Sequence, residues 1–233
     1  MKLLAFESSA KAASVAILEQ ERLLGEVYQN SGQTHSRTLL KMAEDLLCNC
    51  GLEVADLDAV AVAAGPGSFT GVRIGMAAAK GLCWGAELPL YGVSTLESMA
   101  RFYGQTESAV FAAMDARRSQ VYTAGFSWEQ GRLTRLLPDC AISIEELGDA
   151  LKKCEKPKIL VGDGATLCYN TLGSFLTDLT LAPEHLRLQR ASGVALAALE
   201  QIKGGAVPSA AQLTPNYLRL SQAERERQQK SIL

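Results

Sequence analysis

Two carboxylates stand where chemistry could be done. Glu7 closes an apolar run at residues 2–6 and leads into Ser8-Ser9, and Asp115 closes a matching apolar run at 109–114 and leads into a second polar turn. Acids at the ends of two such hairpins could face each other across a cleft and hold a metal-bound nucleotide. The plainer reading is that each caps its own turn, because strand ends routinely carry acids. Ser8 and Ser9 could serve as nucleophiles only with a base in hydrogen-bond reach, and the two histidines, His35 and His185, lack a sequence context that marks them for that role. Cys48, Cys50, Cys83, Cys140, Cys154 and Cys168 form no CxxC pair, so no zinc site is expected and free thiols are the simpler account. No catalytic residue and no metal ligand set stands out.

The run Gly65-Pro66-Gly67-Ser68-Phe69-Thr70-Gly71 could be a phosphate cradle, with amides stacked before a helix N-terminus. It lacks the GK[ST] ending of a P-loop and the spacing of a dinucleotide fingerprint, so on its own it reads as a structural turn.

The elements that position these residues follow from hydrophobic periodicity. Residues 59–64 form an unbroken apolar run suited to a parallel strand covered on both faces, the glycine-rich turn stops it, and a helix over 71–86 leads to a strand over 89–93. Within that helix only Arg73 and Lys80 are charged before Trp84, seven residues apart on one narrow face, so most of its circumference must be covered. A membrane span is rejected because both charges and several glycines fall inside the segment. Upstream, strands over 2–6, 12–18 and 22–28 make an antiparallel meander, followed by a helix over 36–50. At 100° per residue its apolar positions, Leu39, Met42 and Leu46 among them, span an arc of about 160°, wider than the roughly 100° that a core-facing helix needs.

A polar break at 103–108 suggests two lobes, 1–104 and 105–233. The second opens with the same strand, acid, turn and strand, then offers strands over 132–137 and 158–161, a helix over 144–153 with a Ser143/Glu146 capping box, and an alanine-rich helix over 192–203. The whole reads as an α/β fold of two related mixed sheets, the second reduced. With a net charge of -2, 48% hydrophobic and 21% charged residues, the chain has no global attraction to nucleic acid and the composition of a globular protein. The terminal run AERERQQKSIL reads as a solvated helix or frayed tail, and the apolar N-terminal stretch is too short for a secretory signal, so a cytoplasmic location is expected.

The stretch GPGSFTGVRIG, its continuation AELPLYGVSTLE and the hairpin MDARRSQVY together resemble the TsaB (YeaZ) family over essentially the whole length. That resemblance implies the actin-like ATPase (ribonuclease H-like) fold and a part in making N6-threonylcarbamoyladenosine at position 37 of tRNAs that read codons beginning with A. It implies a non-catalytic subunit that pairs with a catalytic TsaD-like paralogue, is joined by a TsaE-like ATPase, reaches tRNA only through the complex, and forms a homodimer when alone. The paralogue's GVNHLEGH-like run, with two metal-binding histidines, corresponds to Gly92–Met99 here, which places Thr95 and Met99 at the histidine positions. Glu7 and Gln120 likewise replace the family's usual aspartate and glutamate, which implies no cofactor beyond weak ATP or ADP binding, mainly in the complex, at Glu7, Ser8, Ser9 and Asp115. The alternative is an actin-like nucleotide-binding enzyme, an ATPase or a peptidase.

The expected interface is the apolar surplus of the two helices: His35, Leu39, Met42, Leu46, Val72, Met76, Ala79 and Cys83, burying about 800 Å² per partner. Met76→Asp or Leu46→Asp is then expected to abolish pairing and leave the fold intact.

Overall fold

The computed structural model describes residues 1–104, 106–208 and 210–219. The first half gives β1 (Lys2–Glu7), β2 (Ala13–Glu19), β3 (Arg22–Gln29), α1 (His35–Asn49), β4 (Ala59–Gly65), α2 (Phe69–Ala86), β5 (Leu90–Ser94) and α3 (Thr95–Phe102). The second gives β6 (Ala109–Asp115), β7 (Gln120–Glu129), β8 (Arg132–Ser143), α4 (Ile144–Lys152), β9 (Lys158–Val161), α5 (Ala165–Leu172), β10 (Leu179–Leu181), α6 (Glu184–Arg187) and α7 (Ala191–Lys203). The terminal run 223–233 lies outside the described residues.

The two five-stranded sheets share one plan. Their orders are β3-β2-β1-β4-β5 and β8-β7-β6-β9-β10, each with an antiparallel meander on one side and parallel strands on the other. The repeat expected from the two hairpins is therefore a repeat of whole sheets, with shorter parallel strands in the second.

Strand alternation assigns the faces. In the first sheet Leu4, Phe6, Val15, Ile17, Val60 and Val62 point to α1 and α2, while Leu3, Ala5, Ala16, Ala59, Ala61 and Ala63 point the other way, to α7. The alanine-rich face is thin, which lets the small side chains of Ala191, Ala195 and Ala198 seat α7 close to the sheet. In the second sheet Val110, Ala112 and Met114 meet α3, and Phe111 and Ala113 meet α4 and α5.

The final helices of the two halves are exchanged. α3 follows the first sheet in sequence but packs Leu96, Met99 and Ala100 on the second, and α7 follows the second sheet but covers the first. The two cross in contact at Gly193, where an added Cβ would strike the Ser98 carbonyl oxygen. A division of the sequence at residue 104 assigns each helix to the half that precedes it; the packing assigns each to the other.

Glu26 of β3 fixes the start of α7. Its carboxylate accepts hydrogen bonds from the Ser192 backbone N–H (3.0 Å), the Ser192 hydroxyl (3.1 Å) and the Ser14 hydroxyl (2.9 Å), and pairs with Arg190 at 3.4 Å. Ser14 Oγ in turn accepts from the Ala191 N–H at 3.0 Å. A carboxylate from a distant strand thus satisfies the orphan donors of a helix N-terminus and complements its dipole. Glu26→Ala is expected to cost about 1–3 kcal/mol in urea unfolding, because it leaves several buried donors unmet. An unchanged urea midpoint would show that α7 does not depend on this contact.

Candidate functional site

The turn after β1 is sewn onto the N-terminus of α2. Ser8 Oγ donates to the Gly71 carbonyl at 2.9 Å, and the Ser68 N–H donates to the Ser9 carbonyl at 2.7 Å. Cβ atoms on Gly67, Gly71 or Gly75 would collide with Ser9 or Ser8, so these glycines are what allow the two segments to touch. Within the turn, Ser68 Oγ accepts from the Gly71 N–H, and the Ser68 carbonyl accepts from the Val72 N–H. The glycine-rich run is a packing device.

Glu7 is fully buried at the base of this turn. Its Oε1 accepts from the Ser9 N–H at 2.6 Å, and Oε2 has no hydrogen-bond partner among the described residues. Burial pushes its carboxyl up to about 7, against the opposing pull of the hydrogen bonds from Ser9 and Ser8. The nearby Asp163 charge adds to the rise. Asp163 lies in the Gly-Asp-Gly that follows β9. It also accepts the Asp115 N–H at 3.3 Å, and burial holds its own carboxyl above the ordinary aspartate range.

Asp115 itself is exposed and accepts the Arg117 N–H at 2.7 Å, so it does cap its turn. Three successive residues in that turn, Arg117, Arg118 and Ser119, have left-handed φ of 65°, 58° and 55°. Of the four residues expected to take a nucleotide, Glu7, Ser8 and Ser9 are turned inward and Asp115 alone is open to solvent. Three inward-facing side chains do not fit a metal-bound nucleotide, and among the described residues no group of three His, Cys, Asp or Glu is placed to hold a metal.

The expected interface residues require a correction. Leu39, Met42, Leu46, Ala79 and Cys83 belong to the core between the first sheet and its helices, and Val72 and Met76 are buried as well. His35 is half-buried, with Nε2 2.7 Å from the Ala10 carbonyl oxygen. Periodicity identified the apolar arc correctly, but that arc is consumed by the chain's own sheet. The surplus lies beside it. Trp84 is 90% exposed on α2 and Leu40 is 55% exposed on α1. Next to Leu40 runs an open groove of about 620 Å³ lined by Ala43, Leu47, Leu52, Val54 and Leu82.

At the positions matched to the paralogue's histidines, Thr95 and Met99 are buried, and Met99 packs with Met114 and Tyr122 in the core of the second sheet. Residues 23–226 match the family described as TsaD: tRNA N6-adenosine threonylcarbamoyltransferase. The chain is 30% identical over 227 residues, 96% of each chain, to the tRNA threonylcarbamoyladenosine biosynthesis protein TsaB of Bacillus subtilis (strain 168).

The chain belongs to the TsaD-like family, as a TsaB (YeaZ) member.

The Escherichia coli (strain K12) TsaB is 40% identical over 132 residues, 56% of this chain and 57% of that one. YeaZ from Pseudomonas aeruginosa superposes with a TM-score of 0.77 at 28% identity, covering 93% of this chain and 99% of its own. The paired five-stranded sheets of this TsaB-family chain are those of the YeaZ fold. All six cysteines are free, and no helix among the described residues is long and apolar enough to cross a membrane.

Proposed function

We propose that the chain serves tRNA threonylcarbamoyladenosine biosynthesis as a non-catalytic subunit that docks on a TsaD-like catalytic paralogue through the outer face of α1 and α2. One observation carries the docking surface: Trp84, Leu40 and the groove beside Leu40 are apolar and open, while the inner faces of the same helices are already packed. An exposed tryptophan and an open aliphatic groove each have the composition of an interface anchor. The name of the B. subtilis relative supports the pathway. A second copy of the chain, related by a two-fold axis, takes the same face when the paralogue is absent. A TsaE-like ATPase joins the pair, and tRNA is reached through the complex, in the cytoplasm.

The non-catalytic reading is supported by the burial of Met99 and by hydroxyls committed elsewhere. Ser8 Oγ is bound to a backbone carbonyl, and Ser8 and Ser9 are both buried, so neither hydroxyl is presented to a substrate. We read nucleotide binding by the isolated chain as weak at most. Calorimetry with magnesium and ATP tests this, and tight, metal-dependent binding with turnover would restore the enzyme reading.

Leu40→Glu with Trp84→Glu is expected to leave the monomer folded and weaken capture of the paralogue by about 30-fold or more, the scale of losing a single hot-spot residue of about 2 kcal/mol. Reconstituted tRNA modification would fall in parallel. Full-yield co-purification by the folded double variant would place the interface elsewhere.

A further inference from the structure

Between the two sheets, away from the α1–α2 face, lies a cavity of about 200 Å³ bounded by the turn after β1, the end of β3, the loop after β9 and the segment joining α6 to α7. Gln189 lines it. That side chain is only 1% exposed, and neither its amide oxygen nor its amide nitrogen has a partner among the described residues. A buried amide with both ends unmet is costly to keep, and the cavity in front of it is where the missing partners would sit.

Around the same cavity stand Lys11 and Arg187 on one side of the charge balance and Asp163 and Glu184 on the other, with the amide of Asn30. Arg187 is held in place, its Nε donating to the Ala182 carbonyl at 3.0 Å and Nη1 to Thr166 Oγ1 at 2.7 Å. The Lys11 charge acts on Asp163, whose carboxyl burial nonetheless holds above the usual range.

The space is smaller than the roughly 300–1,000 Å³ of sites for drug-sized ligands, which suits it to a molecule of a few heavy atoms. A simple anion would satisfy Lys11, Arg187 and the Gln189 amide N–H but leave the two carboxylates and the Gln189 oxygen unmet. A simple cation would do the reverse. A molecule carrying a carboxylate and an ammonium a few bonds apart satisfies both sets. We propose that this cavity binds a free α-amino acid with a short side chain, its carboxylate toward Lys11 and Arg187 and its ammonium toward Asp163 and Glu184, with the Gln189 amide bridging the two.

The test uses the full chain by itself and does not depend on complex formation, so its failure and that of the docking proposal are distinguishable. Glycine, L-alanine, L-serine and L-threonine are titrated by calorimetry and by saturation-transfer NMR, alongside inorganic phosphate and methylammonium. At least one amino acid is expected to bind saturably and at least tenfold more tightly than either single-charge probe. Gln189→Met, which keeps the volume and removes the amide, and Lys11→Ala, at an exposed position, are each expected to weaken that binding at least tenfold. If Gln189→Met fails to fold, Lys11→Ala carries the result. No saturable binding of any amino acid would overturn the proposal and leave a cavity filled by water alone. Equal binding of phosphate, or binding unchanged in the folded variants, would also overturn it.

Discussion

Leu46→Asp is expected to leave no folded protein at room temperature. Leu46 is 5% exposed and sits in the core formed by α1, α2 and the first sheet, where its Cδ1 fills the space over Gly25 of β3. Removing a buried leucine side chain costs about 2–5 kcal/mol, and burying an unpaired carboxylate adds several more. Together these match the whole stability of an ordinary domain, about 5–15 kcal/mol. Met76→Asp, buried on α2, is expected to behave the same way. Far-UV circular dichroism and soluble yield check the result. A soluble Leu46→Asp protein with native helix content would return this residue to the interface, where periodicity alone had placed it. The Leu40→Glu and Trp84→Glu pair is the internal control, because the same kind of charge on the outer face should be silent in the monomer.

That contrast shows what the amino-acid pattern could say. The order of strands and helices up to Val161 was legible because strands carry period-two alternation or, at 59–64, an unbroken apolar run, helices carry a period near 3.6, and the glycine-rich turn marks a sharp reversal; α5, β10 and α6 carry no such signal and were not read. The Ser143/Glu146 capping box was legible for the same local reason and is formed as expected. Whether an apolar arc meets its own sheet or another molecule is not a local property. Leu39, Leu40, Met42 and Leu46 lie within one arc by angle, yet Leu40 lies at its edge and escapes the sheet. The exchange of α3 and α7 was hidden for a related reason: an alanine-rich helix fits any thin sheet face, and nothing in residues 191–203 names which sheet. Asp163 and Gln189 were missed because each is a single polar residue whose meaning comes from burial. The match of Thr95 and Met99 to a histidine pair was legible only by resemblance, and the structure adds that Met99 is a core residue.

Glu7→Gln is expected to make the protein more stable than its parent at pH 8 and nearly equal to it at pH 5. In the unfolded chain Glu7 ionises near 4.5, and in the fold burial raises it to about 7. Below pH 4.5 the carboxyl is protonated in both states and costs nothing. Between 4.5 and 7 the unfolded chain releases the proton first, so the stability contributed by the protonated, buried group is lost as pH rises, and above 7 the loss is complete at about 3 kcal/mol. A glutamine keeps the Oε1 contact with the Ser9 N–H and has no charge to bury, so its stability does not follow this slope. Its amide nitrogen takes the place of the unpartnered Oε2, which returns about 1 kcal/mol or more of the gain. The net expectation is about 1–2 kcal/mol in favour of the variant at pH 8 by urea unfolding. The comparison with the parent isolates Glu7 from Asp163, which is raised in both proteins. Parallel stability-pH curves for the two proteins would mean that Glu7 is ionised and partnered in the fold. The sealed turn after β1 would then have to be open enough to admit the water or cation that partners it.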